Sequence, residues 1–302
     1  GWTPSSDIVN AFDHTAPPTQ KAIFGYGYNA SGGGRLSMSN LVNSSGVVAA
    51  DVTGVGTARM TIAATSYGGD KAIFGYGDSG SATNLSNLVS SSGVIASDTT
   101  GVGTARYAPA AASYDGDKGI FGYGDTGGDS YVSLTNLVNN SGVIATDTTG
   151  VGTARRYLAA TGYGSSGQAV FAYGSTGSRL SIKNLVSNSG VVASDVTGVG
   201  TARNNLAAVK YGTDKAIFGY GSTGSITGVT NLVSNVGVIA SDVSGVGTAR
   251  QYLAAASYGG DKALFGYGNT ASGAVSMTNL VNNSGVVGSD VTGVGTARET
   301  LG

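Results

Sequence analysis

The tetrapeptide Gly-Thr-Ala-Arg occurs six times in this chain, at intervals of 47, 49, 48, 47 and 48 residues. The arginines that close it are Arg59, Arg106, Arg155, Arg203, Arg250 and Arg298. A repeat of this length that holds several short strand-like runs is typical of the blades of a β-propeller. The repeat therefore predicts an all-β fold, a six-bladed β-propeller of four-stranded antiparallel blades.

The composition is compatible with a packed β-sheet core, and the charge argues against some classes of partner. Glycine accounts for 52 of the 302 residues, yet hydrophobic residues make up 40% and recur at fixed places, so a continuous core is expected. The net charge is −1 with dispersed lysine and arginine, which argues against a nucleic-acid partner. The chain has no cysteine for a thiolate metal site. It also has no apolar run long enough to predict membrane insertion.

Each repeat holds four β-type runs separated by clusters of Gly, Asn, Asp and Ser. In the copy after Arg203, the alanine-rich run 206–211 is predicted to be the innermost strand and run 216–220 the central one. The third and fourth runs are predicted to be shorter outer strands. The spacing from Gly-Tyr-Gly to the next Asn-Leu-Val varies between copies. The loop between the second and third strands is therefore expected to lie exposed on one rim.

The first repeat is irregular, so the domain boundary is predicted near its start. Residues 1–20 are assigned to an N-terminal segment or irregular closing strand, and residues 21–302 to a single propeller domain. Either Phe12 takes the place that Leu206 has in its copy, or residues 298–302 supply part of the missing inner strand. A closed ring is favoured over an open array because unpaired strand edges promote aggregation.

Two segments of the repeat are residues 105–112, Ala-Arg-Tyr-Ala-Pro-Ala-Ala-Ala, and residues 118–124, Lys-Gly-Ile-Phe-Gly-Tyr-Gly. Both have counterparts in nearly every copy. Together they are similar to a kelch repeat. Two departures are Gly-Tyr-Gly in place of a glycine doublet and the lack of a tryptophan in the last strand, since the only one is Trp2. The resemblance implies a kelch-like propeller.

Residues 261–268, Asp-Lys-Ala-Leu-Phe-Gly-Tyr-Gly, and residues 276–281, Ser-Met-Thr-Asn-Leu-Val, carry a second likeness. They resemble highly repetitive proteins encoded by marine bacteriophages, which are described as structural or tail-fibre-like. This resemblance implies a virion or extracellular location and a surface role. It carries over no catalytic residue.

An aspartate stands eight residues before the arginine in every copy. Six carboxylates on a ring could form a girdle for a metal or a substrate. Since one active site needs only one such pair, we interpret them as structural, with each arginine fork satisfying a carboxylate and carbonyls between repeats. The pairs are Asp51 and Arg59, Asp98 and Arg106, Asp147 and Arg155, Asp195 and Arg203, Asp242 and Arg250, and Asp290 and Arg298.

Other candidate sites are also interpreted structurally. The Gly-Tyr-Gly tyrosines are expected to pack between blades, with their hydroxyls bonded to the backbone. The sole histidine, His14, excludes a multi-histidine metal site and has no evident nucleophile beside it. No glycine-rich stretch has the spacing of a phosphate loop. No catalytic residue, metal or cofactor is predicted.

The remaining candidates differ between otherwise similar copies. They lie directly after each repeat arginine or in the loop between the second and third strands. Tyr, Arg and Asn stack on and hydrogen-bond sugars or protein surfaces, although drift in an unconstrained surface would give the same variation. The predicted ligand-binding residues are Tyr107, Arg156, Tyr157, Asn204, Asn205, Gln251, Tyr252, Arg35, Tyr131 and Arg179.

These features favour a non-enzymatic phage virion protein that recognises a surface. Its partner would be a host surface glycan or protein, or another virion protein. The alternative is a decoration protein of the capsid or fibre with a purely structural function. A glycan-degrading enzyme is the weakest hypothesis, because it needs two carboxylates about 5 to 10 Å apart. The only glutamate is Glu299, and most aspartates occupy repeat or turn positions.

Overall fold

The computed structural model describes residues 22–302, a range in which all regular structure is β-strand. This range holds no helix that could cross a membrane. The strands are β1 (Ala22–Asn29), β2 (Gly34–Val42), β3 (Ala63–Tyr67), β4 (Lys71–Gly75), β5 (Ser86–Val89), β6 (Ala110–Tyr114), β7 (Lys118–Asp125), β8 (Tyr131–Val138), β9 (Ala159–Tyr163), β10 (Gln168–Ala172), β11 (Lys183–Val186), β12 (Ala207–Tyr211), β13 (Lys215–Gly219), β14 (Thr230–Val233), β15 (Ala254–Tyr258), β16 (Lys262–Gly266), β17 (Asn269–Thr270), β18 (Gly273–Ala274) and β19 (Thr278–Val281).

The strands form small antiparallel sheets, none of which closes on itself in the described range. Five sheets have three strands, in the orders β3-β4-β5, β6-β7-β8, β9-β10-β11, β12-β13-β14 and β15-β16-β19. Strand β1 pairs with β2, and β17 with β18 in the loop before β19. Each three-stranded sheet comes from one repeat with its most hydrophobic strand in the middle. The prediction of an all-β fold is confirmed.

The fourth β-type run of each repeat is attached only by isolated bridges. In the second repeat, Val89 pairs with Ile95, and Ser86 with Thr99. Between these bridges, the Asn87 side-chain amide donates to the carbonyl of Ala96 at 3.0 Å. The side chain thus replaces part of the backbone ladder. The regular sheets therefore have three strands, with the fourth run extended along their outer edge.

The central strands are buried because neighbouring repeats cover both of their faces. In β13, Ile217 and Phe218 have no exposed surface. Gly219, at the end of this strand, faces the ring of Phe265 in the next repeat. A Cβ atom on Gly219 would lie 2.7 Å from Cζ of that ring. Glycine at this position therefore allows the phenylalanine of the following repeat to pack directly on the backbone.

The same aromatic contact joins every repeat to the next. The tyrosine of Gly-Tyr-Gly, or of Ala-Tyr-Gly in one copy, packs against the central phenylalanine of the following repeat, with ring centroids 5.1 to 5.4 Å apart. The pairs are Tyr26–Phe74, Tyr76–Phe121, Tyr123–Phe171, Tyr173–Phe218, Tyr220–Phe265 and Tyr267–Phe24. The last of these pairs joins the final repeat to the first.

The C-terminal residues lie beside β1, where other repeats have their inner strand. Gly302 and Gly25 exchange two backbone hydrogen bonds, of 3.0 and 3.1 Å, and Glu299 and Tyr28 exchange two more. The side chain of Leu301 is buried in the cluster that joins the last repeat to the first. Residues 298–302 thus supply backbone pairing to β1. Phe12, His14 and Trp2 lie outside the described residues.

Candidate ligand-binding face

The six repeat arginines are fully buried at the junctions between repeats. The guanidinium of Arg106 lies 4.0 Å from the centroid of the Tyr76 ring, within its own repeat. Its Nη2 donates to Oδ1 of Asn136 in the next repeat at 2.7 Å. The hydroxyl of Tyr76 donates to the carbonyl of Val102. The arginines and the Gly-Tyr-Gly tyrosines are therefore committed to holding the repeats together.

Each repeat aspartate is held chiefly by a threonine of the preceding repeat. Thr104 donates to Asp147 from its hydroxyl at 2.6 Å and from its backbone amide at 3.0 Å, and Asn136 donates at 2.9 Å. Burial alone would raise the pKa of the Asp147 carboxyl. The bonds from Thr104 and Asn136 and the charge of Arg106 instead hold that pKa below its usual value.

Repeat arginines approach the aspartate of the following copy more loosely. The distance is 3.9 Å from Arg203 to Asp242 and 4.0 Å from Arg298 to Asp51. Asp51 also accepts hydrogen bonds from Thr296, 245 positions away in the sequence. The aspartate motif thus links the last repeat to the first in the same manner as every other pair of neighbours.

Six residues, one from each repeat, form a closed ring of backbone hydrogen bonds. Each stands two positions after a repeat arginine, and its amide donates to the carbonyl of the equivalent residue in a neighbouring repeat at 2.8 to 3.2 Å. All six adopt left-handed backbone conformations, with φ between 50° and 56°. We call this set the six-residue ring: Thr61, Ala108, Tyr157, Asn205, Tyr252 and Thr300.

The residue before each ring member pairs with the variable loop that follows it in the same repeat, and in the last case Glu299 pairs with the loop of the first repeat. Tyr107, for example, exchanges two backbone hydrogen bonds with Asp125, which ends β7. The equivalent pairs are Met60 with Asp78, Arg156 with Ser175, Asn204 with Ser222, Gln251 with Asn269, and Glu299 with Tyr28. The two variable regions of the repeat are thereby joined on one side of the molecule. We call this side, with the six-residue ring at its centre, the ring face.

All ten predicted ligand-binding residues belong to the ring face. Seven are members of the six-residue ring or directly precede one. The other three lie in the adjoining loops. Arg35 forms an ion pair with Asp78 at 3.1 Å, Arg179 donates weakly to Ser222 at 3.5 Å, and Tyr131 contacts Arg156.

Arg156 organises the most strongly charged part of the ring face. Its guanidinium donates to Asp125 at 2.7 Å and lies 2.8 Å from Asp129. It also donates to the hydroxyl of Tyr107 at 3.2 Å and lies 5.2 Å from the centroid of the Tyr131 ring. One cation therefore faces two carboxylates, and the Arg156 cluster carries a net negative charge.

A small cavity of about 80 Å³ opens at the six-residue ring. Besides the ring members, it is lined by the next residue of each repeat, and all six of these side chains are apolar: Ile62, Pro109, Leu158, Leu206, Leu253 and Leu301. The sequence assigned this position only to the inner strand. The third residue after every repeat arginine is apolar, and this was the sequence signal that could have indicated the cavity lining.

Two tyrosines and an asparagine stand at this cavity. The rings of Tyr157 and Tyr252 meet edge to face with centroids 5.9 Å apart. Burial, with a smaller contribution from Tyr252, raises the pKa of Tyr157 to about 12, so its hydroxyl is neutral at physiological pH. Between them in the ring, Asn205 donates from Nδ2 to Oε1 of Gln251 at 3.3 Å.

Several acceptor atoms on the ring face have no hydrogen-bond partner among the described residues. They are Oδ1 of Asn204, Oδ1 of Asn205 and Oε2 of Glu299. Burial raises the pKa of the Glu299 carboxyl, although a hydrogen bond from Asn269 opposes the shift. Buried acceptors without partners are costly. A hydrogen-bond donor that reached one of these buried atoms would therefore supply a partner that it lacks.

Within residues 22–302, no three His, Cys, Asp or Glu side chains are grouped so as to hold a metal ion. The chemistry of the ring face is instead that of aromatic rings, amides, hydroxyls and one arginine–carboxylate cluster. No family model matches the chain, and neither does any curated protein.

Proposed function

We propose that the chain is a closed six-bladed β-propeller of kelch-like blades. Three observations support this architecture. The Tyr–Phe contact occurs at six junctions, including the one between the last repeat and the first. The aspartate–threonine link also occurs at six junctions, and Thr296 and Asp51 form it between the last repeat and the first. The six-residue ring closes on itself through backbone hydrogen bonds. Each blade would consist of three regular strands and the extended fourth run on its outer edge.

We further propose that this propeller is a non-enzymatic recognition module whose ring face binds a surface glycan. The observation that carries the proposal is the gathering of the variable side chains on the ring face, where three of them, Tyr157, Asn205 and Tyr252, line one cavity. Drift would change residues anywhere on the surface, whereas these positions meet in space and include buried acceptors that have no hydrogen-bond partner within residues 22–302. The resemblance to phage structural proteins supports a place on a virion, with a glycan of the host surface as the ligand.

A glycan fits the chemistry of the ring face better than a nucleic acid or a strongly charged partner does. Tyrosine rings provide rigid amphipathic contact area at low entropic cost, and sugar hydroxyls are donors for the open amide oxygens. Asp125 and Asp129 are both engaged by Arg156. That engagement favours binding over the acid–base chemistry of a glycan-cleaving enzyme.

One observation favours the decoration function as the second candidate. A valine at the start of the fourth run is 56 to 65% exposed in all six repeats. These residues are Val47, Val94, Val143, Val191, Val238 and Val286. Large apolar side chains repeated around an outer edge would suit packing against another virion protein. This girdle lies in the fourth runs and is separate in sequence from the variable positions of the ring face.

The proposal is tested by binding of the purified chain to a glycan array and to bacterial cells. We expect specific binding that free glycan competes away. A double variant, Tyr157→Ala with Tyr252→Ala, should bind at least roughly tenfold more weakly, because it removes two aromatic contacts of the kind that dominate interfaces. The matched control, Val94→Ser with Val143→Ser on the outer girdle, should bind as the parent does.

The two candidate functions give opposite patterns in this assay. Loss of binding in the tyrosine variant alone supports glycan recognition. Glycan recognition would be contradicted if the chain bound neither glycans nor cells. If the valine variant also failed to associate with virus particles, the decoration function would be supported. Circular dichroism of each variant checks that folding is intact.

A further inference from the structure

We propose that the cavity at the six-residue ring binds the acetamido group of an N-acetylated sugar. This inference rests on the proposed glycan binding and adds the chemical group that the cavity selects. It follows from the size of the cavity, its apolar lining and one open acceptor atom.

The size of the cavity admits one substituent of a sugar and excludes the sugar ring. Its volume is about 80 Å³. A single water molecule requires roughly 10–15 Å³ on a comparable measure, and pockets that enclose a whole small ligand start near 300 Å³. A group of a few heavy atoms can therefore enter while the rest of the ligand stays at the mouth.

The lining of the cavity favours a methyl group. Besides the ring members, the cavity is lined by the apolar side chains of Ile62, Pro109, Leu158, Leu206, Leu253 and Leu301. A methyl group placed there is removed from water without losing a hydrogen bond. A hydroxymethyl or ammonium group would lose its hydration against the same surface, with few partners to replace it.

The polar side of the cavity favours an N–H donor beside that methyl group. Asn205 is only 9% exposed, and its Oδ1 has no hydrogen-bond partner among the described residues. Its Nδ2 is already engaged with Gln251, so the open atom is an acceptor. An acetamido group is a small planar unit that carries both a methyl and an N–H. A hydroxyl supplies the donor alone, and a deoxy position supplies only the methyl.

The surroundings of the mouth indicate a neutral sugar. The rings of Tyr157 and Tyr252 line the cavity beside Asn205, and we place the C–H face of the pyranose against them. The Arg156 cluster has one more carboxylate than cation, which disfavours sugars that carry a carboxylate or sulfate. The predicted ligand is therefore an N-acetylhexosamine at the end of a glycan.

The test is calorimetric titration of the full chain with N-acetylglucosamine and N-acetylgalactosamine, in parallel with glucose, galactose and glucosamine. We expect each N-acetylated sugar to bind roughly tenfold or more tightly than its parent, since a buried acceptor gains its missing partner. Asn205→Gly removes the acceptor and suits the left-handed backbone. We expect it to abolish the preference for the N-acetylated sugar.

Two variants at an equivalent ring position serve as controls for the cavity itself. Ala108→Gly makes a matched backbone change without removing a polar atom, and should keep the preference. Ala108→Tyr introduces a residue that the ring already accepts at Tyr157 and Tyr252, and should abolish the preference by filling the cavity.

Equal affinity for parent and N-acetylated sugars would overturn the inference, as would an Asn205→Gly variant that keeps the preference. Binding of other glycans that still depends on Tyr157 and Tyr252 would overturn the inference while supporting the proposed function. Absence of binding to any glycan would overturn both.

Discussion

At the scale of single residues, the repeat motif is explained by a polar network that crosses each junction. The guanidinium of Arg106 is buried, a costly arrangement unless the charge is compensated. It is compensated by the face of the Tyr76 ring, the amide oxygen of Asn136 and the nearby carboxylate of Asp147. Thr104 fixes that carboxylate in turn. The motif Gly-Thr-Ala-Arg thus supplies two of the network's side chains from one short segment.

The repeat aspartates make stability depend on acid pH. The pKa of each carboxyl is lowered in the folded chain, because hydrogen bonds from threonine and asparagine outweigh the effect of burial. A depressed folded-state pKa contributes stability that is present above the unfolded-state pKa and lost as pH falls through the folded-state value. We expect the free energy of unfolding, measured in urea, to decrease below about pH 4.

The variant Asp147→Asn isolates one of these six contributions. It should be less stable than the parent at pH 7 and lose less stability on acidification, so that the two pH curves converge in acid. Parallel curves would show that this carboxyl does not contribute to the acid dependence.

At the scale of elements, the end of each central strand is fixed by a close approach between repeats. Gly219 leaves room for the Phe265 ring. The following Tyr220 adopts a φ of 64°, which turns its side chain under the same phenylalanine. One copy departs from this pattern, because Ala172 replaces the glycine. Its junction has the widest aromatic spacing, 5.4 Å between Tyr173 and Phe218. The fold thus accepts one methyl group at this position of the repeat.

A methyl group added at Gly219 should strain the contact with the Phe265 ring in the next repeat. We expect Gly219→Ala to lower the free energy of unfolding by about 1–3 kcal/mol, the usual cost of overpacking a close-packed core. Chemical denaturation measures the effect. The control is Ala172→Gly, which removes a methyl group that has already been accommodated and should change stability less. Equal effects in both variants would contradict the steric explanation.

At the scale of the whole molecule, the two ends of the described chain are joined by the C-terminal tail. Residues 299–302 bond to Gly25 and Tyr28, place Thr300 in the six-residue ring and bury Leu301. Every other junction joins neighbours in sequence. The junction between the last repeat and the first instead joins residues that are far apart in the sequence. The contacts of a few residues therefore decide whether these two repeats stay together.

Deleting residues 299–302 should weaken this junction selectively. The loss of one buried leucine and six backbone hydrogen bonds is expected to lower the free energy of unfolding by about 5 kcal/mol or more. Hydrogen exchange should become faster in β1 and β15, while β6 and β9, at the junction between the third and fourth repeats, keep their protection. Uniformly faster exchange, or an unchanged pattern, would contradict this account of the closure.

The sequence alone predicted the all-β class, the boundaries of the repeats and the positions at which a ligand site should be sought. Those features are periodic and local: the alternation of apolar runs with turn residues indicates strands, and spacing that varies between copies marks the loops that are free to change length. It also predicted that the fourth run would be short, although not that Asn87 would replace part of its ladder.

Only the tertiary structure decided which atoms of different repeats meet. Thr61 and Thr300 are far apart in the chain and are hydrogen-bonded neighbours in the six-residue ring. The open acceptor of Asn205 and the apolar lining beside it depend on that ring as well. A repeat encodes the shape of one unit, whereas the cavity exists only where six units converge. The lining of the cavity therefore depends on how the six units pack against one another, and the sequence of a single unit does not determine it.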